Sequence, residues 1–157
     1  MSTHPTLRKR LGAAPQTSKS GPHSQLTELA SPSLWGDLVA KAFAIEGVRQ
    51  GHSTVSMADS MAALMPELPK EHGPWSLAVE GFVEPFHIHG VSDTSIHAVL
   101  PSDLAAEVVK NGWGEAHTYA DFDTQVMIYA PRNSYELITV VELLKASAAF
   151  ARESGMS

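Results

Sequence analysis

The sequence predicts an α+β fold, a mostly antiparallel sheet with helices packed on one face, in a single domain. Three observations carry that reading. Residues 82–100 run as an alternating segment, a polar turn and a second alternating segment, which is the pattern of a β-hairpin. Residues 134–153 place Leu137, Val140, Val141, Leu144, Ala148 and Ala151 at helical spacing, giving a long amphipathic closing helix. Between them the order helix, strands, hairpin, helix, strand, helix lacks the regular strand–helix alternation of a parallel sheet. At 157 residues the chain suits one domain with its own core.

In chain order, residues 1–28 hold Pro5, Pro15 and Pro22 and little apolar material, so a disordered leader is expected, with the domain occupying 29–157. Leu34, Trp35, Leu38, Val39, Ala42 and Phe43 predict a helix from Ser33, as N-cap, to about Glu46, stopped by Gly47. His52 to Met57 alternates as a short strand, and Ala58 to Leu64 suggests a helical turn closed by Pro66 and Pro69. Trp75 to Val83 reads as a strand with Trp75, Leu77 and Val79 on one face. Pro85 cannot donate a ladder hydrogen bond, so a bend or bulge is expected there.

Pro101, Ser102 and Asp103 open a helix whose expected buried stripe is Leu104, Ala105, Val108 and Val109, ended by Asn111 and Gly112. Residues 113–117 form a glycine-punctuated connection, and Thr124 to Ala130 a strong strand. Asn133, with Glu136 three residues on, has capping-box spacing at the start of the last helix.

The hairpin carries the chemistry. Phe86 and Ile88 alternate with His87 and His89 on the first arm, and Ile96, Ala98 and Leu100 alternate with Ser95 and His97 on the second. Directly opposed residues of an antiparallel pair share a face, so the apolar residues meet only if even positions pair with even. That parity gathers His87, His89 and His97 on one face, with Asp93 at the turn beside them. Three imidazoles and a carboxylate on a rigid surface can bind a metal or act as acid and base. The plain alternative is the wet face of an antiparallel sheet. If helices cover the Phe86/Ile88 face, the histidine face is open to solvent, a ligand or another subunit.

Charge narrows the partners. Residues 1–24 carry a net of +4, while the rest holds 7 basic and 17 acidic side chains, a net of −10 against −6 overall. An acidic body repels phosphates, so nucleic acid is not an expected partner. No apolar run is long enough to span a bilayer, no secretory signal follows the basic cluster, and there is no cysteine for disulfides, zinc thiolates or thiol nucleophiles. A soluble, cytoplasmic protein with a small-molecule ligand and no membrane association is expected. The sequence leaves the oligomeric state open.

His-Ile-His (87–89), Asp-Thr-Ser-Ile-His (93–97), Lys-Asn-Gly-Trp-Gly-Glu-Ala-His (110–117) and Tyr-Ala-Pro-Arg-Asn (129–133) occur in series, followed by Val-Val-Glu-Leu-Leu-Lys-Ala-Ser (140–147). Together they resemble the luciferase-like domain shared by the fungal luciferases and many uncharacterised bacterial and fungal proteins, over about residues 80–150. The fungal enzymes oxidise a hydroxylated pyrone with molecular oxygen, through a peroxide-type intermediate that loses carbon dioxide and emits light. The apolar membrane-anchoring leader of those enzymes is not seen in this sequence. Fold and a shared pocket are therefore implied, whereas light emission is not expected.

On the motif positions the resemblance implies a catalytic set of His87, His89, Asp93 and His97, and a substrate-binding set of Trp113, His117, Tyr129 and Arg132. A neutral histidine suits removal of an enol proton, Arg132 suits an acidic enol or carboxylate, and Trp113 suits stacking on a planar ligand. Each has a plainer alternative. Trp113 serves equally as a core plug, Arg132 as the partner of an acid, Tyr129 as a rim residue and Asp93 as a turn former. The expected function is binding or oxidative transformation of a small, planar, oxygen-rich compound, by an oxygenase-type oxidoreductase if the protein is an enzyme. The alternative is a non-catalytic ligand-binding or protein-interaction module. Dioxygen is the co-substrate the resemblance implies, and the residues do not choose between a metal held by His87, His89 and His97 and metal-free acid–base work.

Overall fold

The computed structural model of the chain describes residues 7–156. Its elements are α1 (Pro32–Ala42), β1 (Arg49–His52), β2 (Met61–Met65), β3 (Val83–Ile88), β4 (Ile96–Val99), α2 (Ser102–Lys110), β5 (Gly114–Ala116), β6 (Gln125–Ile128) and α3 (Ser134–Gly155). The six strands form one sheet in the order β1-β2-β3-β4-β6-β5, with every neighbouring pair antiparallel. This is the α+β architecture the sequence predicts.

The register of β3 and β4 matches even with even: Phe86 opposite Ala98, His87 opposite His97, and Ile88 opposite Ile96. On β6, Val126 and Ile128 continue the apolar face. Leu38 and Ala42 of α1, Leu104 and Val108 of α2, and Leu137, Val140 and Leu144 of α3 pack on it as one continuous core. All three helices thus lie on one face, and the expected stripe of α3 is buried throughout. Burying so many aliphatic side chains at about 1.5–3 kcal/mol each is the main stabilisation of the layer.

Several local expectations give way to tertiary pairing. The first helix starts two residues early, because Ser31 accepts the Leu34 N–H and Pro32 sets the first turn; it ends at Ala42. The weak strand expected over 52–57 lies instead at Arg49–His52. Met61–Met65, read as a helical turn, is a strand, since it sits between β1 and β3 and both edges pair. Trp75 to Phe82 is no strand, and only Val83 joins β3. The Glu84 N–H bonds to Ser76 Oγ and the Leu77 N–H to the Glu84 carbonyl, folding the segment back as a loop that buries Leu77 and exposes Val79. The irregularity expected at Pro85 is present: pairing skips from Ala63–Phe86 to Met65–Val83. In α2, Val109 faces solvent rather than the core.

The glycine-punctuated connection contains β5. Gly112 takes φ +81 to turn out of α2, and a Cβ on Gly114 would collide with the Met127 carbonyl of the neighbouring strand. These two glycines thus serve strand pairing rather than ligand approach.

The segment expected to be a disordered leader is packed on the body from residue 7 onward; residues 1–6 lie outside the described residues. Leu7, Arg10, Thr17, His23 and Gln25 are buried. Thr17 and Gln25 form an antiparallel bridge that closes a small loop. Polar side chains of this segment find partners across the histidine face, and that face is therefore covered rather than wet.

Candidate functional site

The β3–β4 register brings His87 Nε2 to 3.1 Å from His97 Nδ1. His89, one step beyond β3 on the same face, has its ring centroid 4.6 Å from that of His97 and 5.1 Å from that of His87. All three are at least 95% buried. The parity argument from the alternation is thus realised, and the wet-face alternative is overturned by the burial.

The turn between the strands fixes His89. Asp93 accepts hydrogen bonds from the N–H and hydroxyl of Ser95 and from the N–H of Gln25. His89 Nδ1 lies 2.9 Å from Ser95 Oγ and 3.2 Å from Asp93 Oδ2. Thr94 adopts φ +65, an uncommon conformation for a residue with a branched side chain, and its hydroxyl accepts the Ala30 N–H at 2.9 Å. Trp35 Nε1 donates to the His89 carbonyl at 2.9 Å, tying the floor to α1. Asp93 is both a turn former and a partner of the imidazole.

The covering segment adds a histidine that sequence reasoning passed over. His23 Nδ1 lies 3.2 Å from His97 Nε2, and its Nε2 lies 2.8 Å from Glu115 Oε2. Gln25 holds the segment down by accepting the Ala130 N–H at 2.9 Å and donating to the carbonyls of Thr27 and Glu28. His117, expected from its motif, stands with its ring centroid 4.0 Å from that of His97 and accepts the Tyr119 N–H on Nδ1. Four imidazoles therefore meet around His97.

Two carboxylates outside the expected catalytic and substrate-binding sets hold this group from behind. Glu84, 1% exposed, binds His87 Nδ1 at 2.8 Å and accepts the Ser53 hydroxyl. Glu115 accepts from Thr17, His23 and Tyr129. Glu84, three residues before His87 with Pro85 between, reaches it only because the bulge turns its side chain inward.

Burial is the main electrostatic cause throughout. It lowers the pKa of His87 against the opposing pull of Glu84, and lowers that of His97 further with help from the neighbouring rings. It also pushes His117 down to about 4. Burial would raise Asp93, but the hydrogen bonds and charge of His89, with those of Ser95, outweigh it and hold the carboxyl at about 2. The floor at neutral pH therefore combines unprotonated imidazoles at His87, His97 and His117 with an ionised Asp93.

A pocket of about 550 Å³ opens onto this floor. His89, His97, His117 and Asp93 line it with His23, while His87 stands behind His97; Leu26, Val55 and Met57 are exposed at the mouth.

The other proposed ligand contacts are directed elsewhere. Trp113 is buried in the core beside α2, and its Nε1–H donates to the Arg8 carbonyl. Tyr129 donates its hydroxyl to Glu115 and carries Arg10 over its ring, and burial followed by that hydrogen bond raises its pKa. Arg132 pairs with Glu136 and Glu28 and donates to the Leu11 carbonyl. None of these three lines the pocket. Trp113 and Arg132 take their plainer alternatives, while Tyr129 is buried rather than at a rim; each has a partner in the N-terminal segment, whose packing the sequence did not announce.

Two groups of histidines have ligand nitrogens within 4.8 Å of one another: His87, His89 and His97, and His23, His97 and His117. No helix among the described residues is long and apolar enough to cross a membrane.

Comparison with known proteins finds similarity over the stretch that holds most of the site. Residues 83–147 match the family model described as the Luciferase domain. The luciferases of Armillaria gallica and Armillaria mellea are each 34% identical over 70 residues, 41% of this chain and 26% of their own length. The luciferase of Neonothopanus nambi is 31% identical over 70 residues, with the same coverage. The match thus spans about a quarter of the curated relatives. No solved structure matches the chain significantly. The matched stretch, residues 83–147, carries His87, His89, Asp93, His97 and His117 and is similar to the Luciferase domain.

Proposed function

We propose that the pocket binds a small, planar, oxygen-rich compound and that the imidazole floor promotes its oxidation by dioxygen. The observation that carries this reading is the convergence of His89, His97 and His117 with Asp93 at the base of a cavity whose volume suits a compound of one to three rings. The apolar mouth at Leu26, Val55 and Met57 suits the faces of such a ring, and the polar floor suits its oxygens. The likeness to proteins named luciferases supports an oxidative reaction class, since the matched stretch holds the floor. Light emission is not part of the proposal.

In chemical terms, a hydroxylated enone gives its enol proton to an unprotonated floor nitrogen, and the enolate carbon adds dioxygen. The resulting peroxide anion takes the proton back, so substrate and dioxygen become a hydroperoxide with no other reactant. His117 carries its hydrogen on Nε2, because Nδ1 accepts the Tyr119 N–H, and offers a donor to a substrate oxygen.

The test is a panel of hydroxypyrones and catechols, followed by thermal shift and by oxygen consumption. Saturable stabilisation with oxygen uptake, both weakened by His117→Ala, is the expected result. Binding without oxygen uptake would leave a ligand-binding module. No binding by any planar compound would remove the reading.

A further inference from the structure

The hydrogen-bond frame around the floor fixes where every imidazole hydrogen sits. With Glu84 as a carboxylate, His87 donates from Nδ1, which leaves Nε2 as a bare lone pair. Ser95 Oγ spends its hydrogen on Asp93, so His89 donates from Nδ1, and its Nε2 takes no part in this set of hydrogen bonds. Glu115 takes the hydrogen of His23 Nε2, and His23 Nδ1 accepts from the Thr118 N–H at 3.3 Å. His97 must then donate from Nε2 to His23 Nδ1, which leaves His97 Nδ1 bare. Each of these outward contacts uses one ring hydrogen. The outcome is two lone pairs, His87 Nε2 and His97 Nδ1, facing each other at 3.1 Å, and the three rings of His87, His89 and His97 each bring a nitrogen within 4.8 Å of the others.

Such an arrangement is repulsive by itself and attractive around a cation. We propose that His87, His89 and His97 form a three-histidine site for a single divalent transition-metal ion at the floor of the pocket. Imidazole nitrogens at about 2.0–2.2 Å from one ion are separated by about 3.0 Å in octahedral and about 3.3 Å in tetrahedral geometry, bracketing the observed pair. The same geometry sets ring centroids about 4.5–5.2 Å apart, and the three rings here are 4.6, 5.1 and 5.1 Å apart.

Two further features point the same way. His87 and His89 each direct the N–H of the nitrogen away from the ion toward an acidic partner, and His97 does so through His23 to Glu115, the arrangement that orients metal-bound histidines. Glu84 is 1% exposed and its Oε1 has no partner among the described residues. A buried carboxylate with one oxygen unsatisfied calls for more positive charge than a neutral His87 supplies. The second histidine group is not chosen, because His23 and His97 spend the facing hydrogen on each other and His117 keeps its own on Nε2.

The ligand set is all nitrogen, which suits zinc, iron, copper and their neighbours rather than calcium or magnesium. The pocket lies over His89 and His97, so open coordination positions face the cavity. The proposal rests on the pocket reading above and names what its floor holds; the nitrogens of His89 and His97 are free to act as base only while the ion is absent.

The experiment uses the untagged full-length chain, stripped with chelator, dialysed and titrated with cobalt(II). Saturation at one equivalent, visible ligand-field bands, and a rise in melting temperature are expected. His89→Gln should weaken binding at least hundredfold, Glu84→Gln about tenfold to hundredfold, and the exposed control His52→Gln not at all. Absence of stoichiometric binding to the wild-type chain overturns the site. So does a His89→Gln or Glu84→Gln protein that binds within twofold of wild type. If His89→Gln does not fold, the wild-type titration and Glu84→Gln still decide. Planar-ligand binding measured in excess chelator tests the pocket separately, so a chain that binds ligand but no cobalt loses the metal alone.

Discussion

His87 and His97 are direct partners across β3 and β4, and their facing nitrogens lie 3.1 Å apart. The same pairing step that sets Phe86 opposite Ala98 on the core side sets these rings together on the other. Sheet register and site geometry are therefore one constraint. A slip of one residue would send the imidazoles into the aliphatic layer under α3.

Glu84 makes that pair costly to break. His87→Leu keeps the volume but leaves a buried carboxylate with Ser53 as its partner, at a cost of about 3 kcal/mol or more. Replacing both, as Glu84→Leu with His87→Leu, removes the stranded charge and should recover much of the loss. Urea unfolding in excess chelator measures it. A single variant within about 1 kcal/mol of wild type would show that Glu84 does not depend on His87.

The histidine face was legible in the sequence because alternation admits one parity once Phe86, Ile88, Ile96 and Ala98 must share a core. The cover over it was not. A polar strand face has the same pattern whether water or a polar segment lies on it. The residues that do the covering, Thr17, His23 and Gln25, sit among prolines and serines with no periodicity. His23 meets His97 across 74 positions, and no local rule reaches that far. Trp113, Tyr129 and Arg132 were found as motif members, but a motif does not say which way a side chain points. Their partners Arg8, Arg10, Leu11 and Glu28 belong to the same unforeseen segment. Met61–Met65 was lost for a different reason: a run of Met, Ala and Leu favours helix, and only its two neighbouring strands make it extended.

Gln25 is the clasp of that segment. Gln25→Ala leaves the Ala130 N–H without its acceptor and releases the carbonyls of Thr27 and Glu28. A loss of about 1–3 kcal/mol is expected for the stranded buried groups. Amide hydrogen exchange should rise across residues 17–28 and at Ala130, while α3 keeps its protection. Unchanged exchange there would mean that other contacts hold the segment.

Arg132 and Glu136 make the acid limb of stability. Burial alone would raise the Glu136 carboxyl, but hydrogen bonds and charge from Arg132 outweigh it and bring it below its ordinary value of 4.5. A carboxyl depressed in the folded state stabilises the protein above its unfolded pKa, and that contribution is lost as pH falls through the folded value. Wild type and Glu136→Gln should therefore differ most at neutral pH and converge as pH drops below about 4.5. Arg132→Ala should lower the melting temperature at pH 7 and leave planar-ligand affinity unchanged, since Arg132 does not line the pocket. A drop in affinity with an unchanged melting temperature would reverse the assignment.

Trp113 and His117 separate fold from site within one short stretch. Trp113 is 5% exposed, joins the core beside Val108 and anchors the Arg8 carbonyl, so Trp113→Ala should cost about 3–5 kcal/mol. His117 is half-buried on the pocket wall and bonds locally to the Tyr119 N–H, so His117→Ala should cost less than about 1 kcal/mol. Their effects on function should run the other way. His117→Ala removes a donor at the floor and should weaken binding of a hydroxypyrone about tenfold, corresponding to the loss of one hydrogen bond to a polar ligand. Trp113→Ala, at a temperature where it is still folded, should bind the same compound within about threefold of wild type, which is under 1 kcal/mol. Calorimetric titration of both variants beside their urea curves checks the crossing. If Trp113→Ala abolishes binding while remaining folded, the indole belongs to the ligand site after all, and the segment beneath it must open to admit the compound.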